Sequence, residues 1–285
     1  MSLELCILAS GSSGNCSVLR TPSGVLLIDA GLGPRTLAKR LDGTGVSLGE
    51  IRAILLTHLD SDHFRPTWLN LAAKLGLRIY CSARRIGNLL AWIDDDVDPR
   101  ARDMISPFDG ATFEPIERVT AQPIPLAHDR SGSHGFVIDG FGCRVGYATD
   151  LGHVPPILLD CFDDLDLLAL ESNYDEQMQH SSMRPQFLKS RIMGGSGHLS
   201  NEQAMRAIQT ILDRCERKRR RLPQHIVLLH RSRQCNCPRL VRRLFERDPR
   251  IAARLTLAEQ YERSNWLRPR VMPPLVGEQL VLAWA

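Results

Sequence analysis

Residues 57–64 read THLDSDHF and directly follow the mostly apolar run IRAILL at residues 51–56. Two histidines and two aspartates fall within six consecutive positions of this stretch. Imidazole nitrogens and carboxylate oxygens are the side-chain ligands of zinc and of harder transition metals. Because the group lies in the loop after a predicted buried strand, it predicts a metal site with the candidate ligands His58, Asp60, Asp62 and His63.

Several predicted strands end in an acid or a histidine. The runs LLID, AILLTH, VGYATD, LLALE and IVLLH end at Asp29, His58, Asp150, Glu171 and His230. In layered α/β folds, ligands gather where the carboxyl ends of strands meet the loops. The pattern therefore predicts one site assembled from distant segments, with His128 in the stretch PIPLAHD as a further candidate.

The four polar residues of the THLDSDHF loop can point to two neighbouring ions, but they are too few to saturate both. His128, Asp150 and His230 are the candidates for the remaining ligands, and the Asp150 carboxylate can bridge the ions. Two ions about 3.5–4 Å apart would stabilise the attacking and leaving oxygens of a phosphoryl displacement. The sequence thus predicts two divalent ions, with Zn²⁺ favoured and Mn²⁺ or Fe as alternatives.

The chain of 285 residues alternates short apolar runs with amphipathic segments. Strands are predicted at 3–9, 25–30, 53–57, 78–82, 136–140, 143–149, 167–171 and 225–230, and helices at 34–43, 65–76, 83–93 and 200–221. The last helix has a capping box, with Ser200 followed by Gln203. No internal repeat or long linker interrupts the pattern, so we predict a single domain over residues 1–285.

Composition indicates an ordinary globular protein, with 43% hydrophobic and 24% charged residues. No apolar stretch approaches the roughly 20 residues that span a bilayer, so no membrane association is expected. The opening MSLELCILASGSSGN lacks the basic region of a secretory signal. The eight scattered cysteines suit free thiols in a reducing compartment. Cytoplasmic localisation is therefore expected.

Basic residues are concentrated between positions 214 and 254. This segment contains fourteen Arg or Lys residues and three acids, whereas the whole chain carries a net charge of only +4. Such a concentration attracts polyanions such as DNA or RNA, although a solvated helical face is the alternative interpretation. Because the segment brackets His230, we expect its arginines to lie near the site.

The ordered motifs LLIDAG, THLDSDH, YATD and HIVLLH, with His128 between them, resemble the metallo-β-lactamase superfamily. The resemblance runs over almost the whole chain. It implies an α/β fold, an αββα four-layer sandwich of two mixed β-sheets flanked by helices, with a two-metal site at one edge of the sheets. The stretches LASGSSGN, LALESNYD and RIMGGSGHLSNEQA resemble the WalJ-like (YycJ-like) branch, and some Glu and His elements are similar to those of ribonuclease Z-like phosphodiesterases.

Matched residue by residue, the resemblance implies two overlapping sets of metal ligands. One set is His58, His128 and Asp150, and the other is Asp62, His63, His230 and the shared Asp150. Asp29 is implied to orient the histidine-rich loop without binding metal.

The resemblance also implies catalytic roles beyond metal binding. Glu171 and His198 match a pair that assists proton transfer to the leaving group in the phosphodiesterases, and Asp62 is the third predicted catalytic residue. The chemistry of His198 suits this role, because imidazole titrates near neutrality and a nearby carboxylate raises its pKa.

Asp60 departs from the superfamily pattern H-x-H-x-D-H, which has a histidine at this position. If Asp60 binds metal, the third carboxylate makes a two-ion centre with one hydroxide formally neutral, and the harder ligand favours Mn²⁺ or Fe. If its side chain is too short, the centre holds one ion. A redox role for iron is a third alternative, since the flavodiiron proteins carry a carboxylate here, but Glu171 and His198 argue against it.

The leading functional hypothesis is a metal-dependent hydrolase, a phosphodiesterase or nuclease that uses a metal-bound hydroxide. The same chemistry would open a small carbonyl substrate such as a lactone or thioester, and the fold alone does not exclude this alternative. A third alternative is a nucleic-acid-binding protein whose altered site holds metal poorly. An apolar pocket at the site would favour the carbonyl substrate, whereas a groove lined by arginines would favour the phosphodiester.

Overall fold

A computed structural model describes residues 3–270 of the chain. Two β-sheets stack face to face, and helices cover the outer face of each sheet. The predicted fold class, an αββα four-layer sandwich, is confirmed. The single domain over 1–285 stays a prediction, and residues 1–2 and 271–285 of that range lie outside the described residues.

The first sheet is mixed and has six strands. Its first two pairings are antiparallel and its last three are parallel. In spatial order the strands are β1 (Glu4–Ala9), β2 (Cys16–Thr21), β3 (Gly24–Ile28), β4 (Ile51–Leu55), β5 (Arg78–Ser82) and β6 (Ile105–Phe108).

The second sheet is also mixed and has seven strands. Four neighbours run parallel at one end, and the remaining pairings are antiparallel. In chain order the strands are β7 (Phe113–Ile116), β8 (Val119–Leu126), β9 (Ser133–Gly140), β10 (Cys143–Ala148), β11 (Leu167–Glu171), β12 (His225–Leu229) and β13 (Leu255–Leu257), and β13 to β7 is their spatial order.

The helices between these strands are mostly short. They are α1 (Pro34–Leu41), α2 (Thr67–Leu75), α3 (Ile86–Leu90), α4 (Pro156–Cys161), α5 (Glu176–Ser181), α6 (Gln186–Met193), α7 (Asn201–Arg217), α8 (Pro238–Phe245) and α9 (Pro249–Ala252). Within residues 3–270, no helix is both long and apolar enough to cross a membrane.

The strands are buried on both faces, because side chains alternate between two cores along each strand. Leu229 of β12 belongs to the core between the sheets. Its neighbour Leu228 points outward and packs in the same core as Ile211 of α7. On the other side, Leu27 of β3 shares a core with Trp68 of α2. Burial on both faces explains why these strands read as continuous apolar runs.

The carboxyl ends of the parallel strands meet along one edge of the sandwich. Asp29 follows β3, Asp150 comes two residues after β10, and His230 follows β12. These three residues have φ angles of 60°, 52° and 52°, in the left-handed region that costs most residues about 1–2 kcal/mol. Strain of this kind collects at functional sites, and here it turns each chain segment sharply as it leaves its strand.

The eight strands predicted from sequence are all present, as are the four helices. The capping box of α7 is confirmed, with the Ser200 side chain accepting from Gln203 N and the Gln203 side chain accepting from Ser200 N. The predicted end of this helix at residue 221 is wrong, because the helix stops at Arg217. The strands predicted from sequence do not include β2, β6, β7, β8 and β13, which are short or lack a clear period, and the brief helices α4, α5, α6, α8 and α9 were also missed.

Candidate metal centre

His63 is fixed by a buried carboxylate. Asp29 Oδ2 lies 2.7 Å from His63 Nδ1, and Asp29 Oδ1 accepts a hydrogen bond of 2.9 Å from the backbone N–H of Thr57. Neither the His63 nor the Asp29 side chain is exposed by more than 1%. With Nδ1 engaged in this way, Nε2 of His63 points toward the centre. Asp29 therefore occupies the orienting position that the resemblance implied.

Asp150 lies between two groups of histidines. Its Oδ2 is 2.9 Å from His63 Nε2, and its Oδ1 is 3.8 Å from His128 Nε2. The carboxylate is 2% exposed, and Thr149 Oγ1 donates to its Oδ2. Oδ1 also lies 3.5 Å from His230 Nδ1, so the single Asp150 carboxylate contacts histidines of both groups.

His230 enters the centre from β12. Its backbone N–H donates to Ser10 Oγ at 2.7 Å, and Asn173 Nδ2 donates to its carbonyl oxygen at 2.7 Å. These bonds hold the turn in its left-handed conformation. His230 Nε2 is buried without a hydrogen-bond partner and lies 3.6 Å from Asp62 Oδ2, which is beyond hydrogen-bonding distance.

The other group contains His58 and His128, which follow β4 and β8. His128 Nδ1 lies 3.0 Å from the Gly197 carbonyl oxygen, which leaves Nε2 facing the centre. Asp60 Oδ2 lies 3.8 Å from His58 Nε2, although its side chain is 49% exposed. Ligand atoms of His58, Asp60 and His128 all lie within 4.8 Å of one another. Asp60 therefore lies with His58 and His128, where the sequence had left open whether Asp60 binds metal.

The donor spacing suits metal ions. Ligand atoms about 2.1 Å from a tetrahedral ion lie roughly 3.4 Å apart. The Nε2 atoms of His63 and His230 lie 3.8 Å and 3.6 Å from Asp62 Oδ2. These contacts are too long for hydrogen bonds but close to the separation of two atoms that coordinate the same ion. The buried His230 Nε2 also has no other hydrogen-bond partner. The residues present therefore fit the divalent ions that the fold family implies.

Carboxylates dominate the electrostatics of the centre. Burial lowers the pKa of His230, but Asp150, Asp62 and Glu171 outweigh it and raise that pKa to about 10. Burial likewise opposes the pKa shift of His63, which Asp150 and Asp29 nevertheless raise well above its ordinary value. The negative charge that keeps these buried imidazoles protonated would also stabilise divalent cations, because metal ions and protons compete for the same nitrogens.

His198 and Glu171 form a close pair beside the centre. His198 Nδ1 lies 2.7 Å from Glu171 Oε1 and 3.4 Å from Asp150 Oδ1. Glu171 is fully buried, and its Oε2 accepts hydrogen bonds from the backbone N–H groups of Leu151 and Leu199. Burial lowers the pKa of His198, but the Glu171 carboxylate raises it above its ordinary value. This geometry suits a protonated imidazole that faces the reacting groups.

Seven predicted metal ligands and the two predicted proton-transfer residues therefore meet at one edge of the sandwich. Their candidate groups overlap at His58, His63, His230 and Asp150. Their metal-binding and catalytic roles stay predictions for His58, Asp60, Asp62, His63, His128, Asp150, Glu171, His198 and His230.

Sequence reasoning missed two asparagines that support the centre. Asn15 Nδ2 lies 2.9 Å from His63 Nε2, and the Asn15 backbone N–H donates to Asp62 O at 2.7 Å. Asn173 Nδ2 lies 3.1 Å from His230 Nδ1. Both residues stand in quoted motifs, GSSGN and LESNYD, so the signal was present. Their positions beside histidines distant in sequence become visible only after folding.

The basic segment 214–254 divides between two regions, which corrects the expectation that its arginines lie near the site. The α7 helix starts beside the centre and, at 1.5 Å per residue, carries Arg217 about 25 Å away. Several cations of the segment pair with acids, as Arg214 does with Asp160 and Asp163. In contrast, Arg231 and Arg233 directly follow β12 and stay close to His230.

Comparison with known proteins places the chain in a family. Residues 25–226 match the model described as the beta-lactamase superfamily domain. The chain belongs to the beta-lactamase superfamily. The superfamily predicted from sequence is therefore confirmed. His230 lies beyond the matched range, so its place in the centre rests on the geometry described above.

Relatives of this superfamily member include a protein called exodeoxyribonuclease YycJ from Bacillus anthracis, which is 27% identical over 242 residues, or 85% of this chain and 87% of the relative. Among solved structures, the metallo-beta-lactamase fold protein YhfI from Bacillus subtilis has a TM-score of 0.66 at 13% identity, covering 93% of this chain and 100% of that chain. Human tRNase Z, short form, has a TM-score of 0.61 at 17% identity and covers 92% and 98%. These structural likenesses establish the fold.

Proposed function

We propose that this protein is a metal-dependent phosphodiesterase that cleaves DNA. The superfamily and the relative called an exodeoxyribonuclease support this function. Cytoplasmic localisation stays a prediction.

The observation that carries the proposal is the pocket next to His58, Asp60 and His128. This cavity of about 560 Å³ is lined by polar side chains, including Arg130 and Arg191. Arg191 pairs with Asp129, and Arg130 is exposed. Guanidinium groups recognise phosphate oxygens, whereas an apolar pocket would favour a lactone or thioester. The lining therefore favours a phosphodiester over a small carbonyl substrate.

Exposed apolar side chains on the α5–α6 segment fit a nucleic-acid strand. Met183 and Phe187 are 99% and 75% exposed, and Arg184, Lys189 and Arg191 lie on the same segment. Proteins that bind single strands combine cationic side chains with aromatic surfaces on which bases stack. This surface supports a strand with accessible bases as the substrate.

The chain's own residues divide the catalytic work between them. His58, Asp60, His128 and Asp150 would hold one ion, and Asp62, His63, His230 and Asp150 the other. When bound, two ions activate water and stabilise charge on the phosphoryl oxygens. Glu171 keeps the imidazolium of His198 in place, and His198 gives its proton to the departing oxygen.

The first test is cleavage of end-labelled single- and double-stranded DNA by purified protein. We expect degradation that stops after chelation and returns with added Zn²⁺ or Mn²⁺, because the ligand groups alone supply no nucleophile. Metal-loaded protein that cleaves no phosphodiester but opens lactones or thioesters would overturn the proposal. About two metal equivalents per chain would dispose of the alternative of a binding protein with an impaired centre.

We further propose that Zn²⁺ is the resident ion and that Asp60 broadens the selectivity toward Mn²⁺. An imidazole is a softer ligand than a carboxylate, so Asp60→His should raise the ratio of Zn²⁺ to Mn²⁺ bound in competition by about tenfold. Elemental analysis after dialysis against equimolar ions measures this ratio. The control is Asp129→His, because Asp129 is an acid that lines the same pocket but belongs to none of the candidate metal-ligand groups. An unchanged ratio in Asp60→His would show that Asp60 binds no metal.

A further inference from the structure

We propose that a second pocket, on the Asp62 and His230 side of the centre, binds a phosphate group of the substrate strand. This inference rests on the proposed function and extends it to a second contact with the strand. The pocket, here called the arginine pocket, has a volume of about 410 Å³. Its lining includes Ser12, Ser13, Arg184, Arg231, Arg233 and Gln260.

Two guanidinium groups of the arginine pocket carry uncompensated charge. Arg184 donates to the side-chain oxygens of Gln179 and Gln234, and Arg233 donates to Tyr261 Oη at 3.2 Å while lying over its ring. Within the described range 3–270, no carboxylate forms an ion pair with either arginine. Their partners are neutral, so both positive charges remain available to an anion.

The third guanidinium is buried and only partly satisfied. Arg231 has a side chain that is 8% exposed and pairs with Glu259 through Nη2. Its Nε is buried without a hydrogen-bond partner in this structure. Buried donors without acceptors are unfavourable, and a single carboxylate does not balance three guanidinium groups. The net charge of the arginine pocket therefore favours an anion.

The loop over residues 10–15 joins this pocket to the metal centre. At one end Ser10 Oγ accepts from the backbone N–H of His230, and at the other the Asn15 N–H donates to Asp62 O. Between them, Ser12 and Ser13 are exposed at the pocket. The hydroxyls of the pocket are thus anchored to the same segments that supply Asp62 and His230.

Gln260 fixes the conformation of that loop. Its Oε1 accepts from the Ser13 N–H at 2.9 Å, and its Nε2 donates to Gly14 O at 2.9 Å. Gly11 has a φ of +139°, and a Cβ at this position would lie 2.6 Å from Gln260 Oε1. The positive φ favours glycine at this position, and the two Gln260 hydrogen bonds hold the loop in its conformation.

Arginine side chains together with serine hydroxyls in a hydrogen-bonded loop are a set of groups suited to binding phosphate. Arg231 directly follows His230, so a strand cleaved at the centre would present a neighbouring phosphate to the pocket. That phosphate is either a terminal monoester or an internal diester. Both share the chemistry that the pocket recognises, and substrates with different ends distinguish them.

The test measures binding without turnover. Full-length protein in chelator is titrated into fluorescein-labelled single strands that carry a 5′-phosphate, a 3′-phosphate or hydroxyl ends, with anisotropy as the readout. Arg233→Gln should weaken binding about fivefold and lower the slope of log K against log salt by about one, as expected for one lost phosphate contact. Arg220→Gln, an exposed arginine beyond the far end of α7, is the matched control.

Loss confined to one phosphorylated end would identify a terminal phosphate, and equal loss for all strands would identify an internal one. If Arg233→Gln has the same affinity and salt slope as Arg220→Gln, the proposed phosphate binding in the pocket is refuted. If the protein cleaves DNA but its DNA affinity does not depend on Arg233, the pocket alone is refuted. If the affinity depends on Arg233 but the protein does not cleave DNA, the proposed function alone is refuted. Arg233 is exposed, and circular dichroism checks that its variant folds.

Discussion

Asp150→Asn is expected to deplete both metal sites at once. The Asp150 carboxylate contacts histidines of both groups, with Oδ2 at 2.9 Å from His63 Nε2 and Oδ1 at 3.8 Å from His128 Nε2. An amide keeps the shape but loses the negative charge that two cations would share. Changes to the outer partners of metal ligands typically cost about 10–100-fold in affinity, so we expect a loss of at least 100-fold for this bridging position.

Metal content after dialysis at a series of free-ion concentrations measures this effect, alongside DNA cleavage. Asp160→Asn is the control, because Asp160 is an exposed acid that pairs with Arg214 away from the centre. Its ion pair is of the exposed kind that contributes roughly 0–1 kcal/mol. Retention of two tightly bound ions by folded Asp150→Asn would refute the bridging role.

His198→Ala is expected to lower the turnover number for DNA by about 10²–10⁴-fold, the range for loss of a general acid, with metal content unchanged. His198 is held by Glu171 at 2.7 Å, so Glu171→Gln should show a smaller loss of the same kind. A phosphodiester with a nitrophenolate leaving group needs no protonation as it departs. Its cleavage by His198→Ala should therefore fall much less than cleavage of DNA.

The comparison between the two substrates separates proton transfer from other roles of His198. Its ligand atom also lies in a group with Asp150, Glu171 and His230 that could hold a metal ion. If His198 were a ligand, His198→Ala would lose metal and would slow both substrates equally. A structural role would lower the thermal unfolding midpoint, which the proton-transfer role leaves in place.

The fold and most of the candidate centre could be predicted from local patterns. Strand ends at Asp29, Asp150 and His230 were visible because buried parallel strands read as apolar runs that stop abruptly. The superfamily match followed from motif order and is confirmed. Short elements such as β13 and α9 were missed because three or four residues carry too little periodicity to predict.

Sequence alone was weaker wherever function depends on contacts between distant residues. The charge of segment 214–254 predicted a basic surface beside the centre, but α7 carries part of that charge to the opposite edge. The arginines that line the two pockets come from several parts of the chain, and three of them, Arg130, Arg184 and Arg191, lie outside the segment. The number of charges along the chain does not show which of them fold next to the centre and which fold away from it.

The sequence by itself determined the residue types at the strand ends and their order, because burial and alternation are local constraints on a strand. The tertiary structure decided what those residues meet. It placed His63 in contact with Asp29, left His230 Nε2 without a hydrogen-bond partner, and brought Asp60 within 3.8 Å of His58. These distances depend on the stacking of two sheets and on three left-handed turns, which are collective properties of the packed chain.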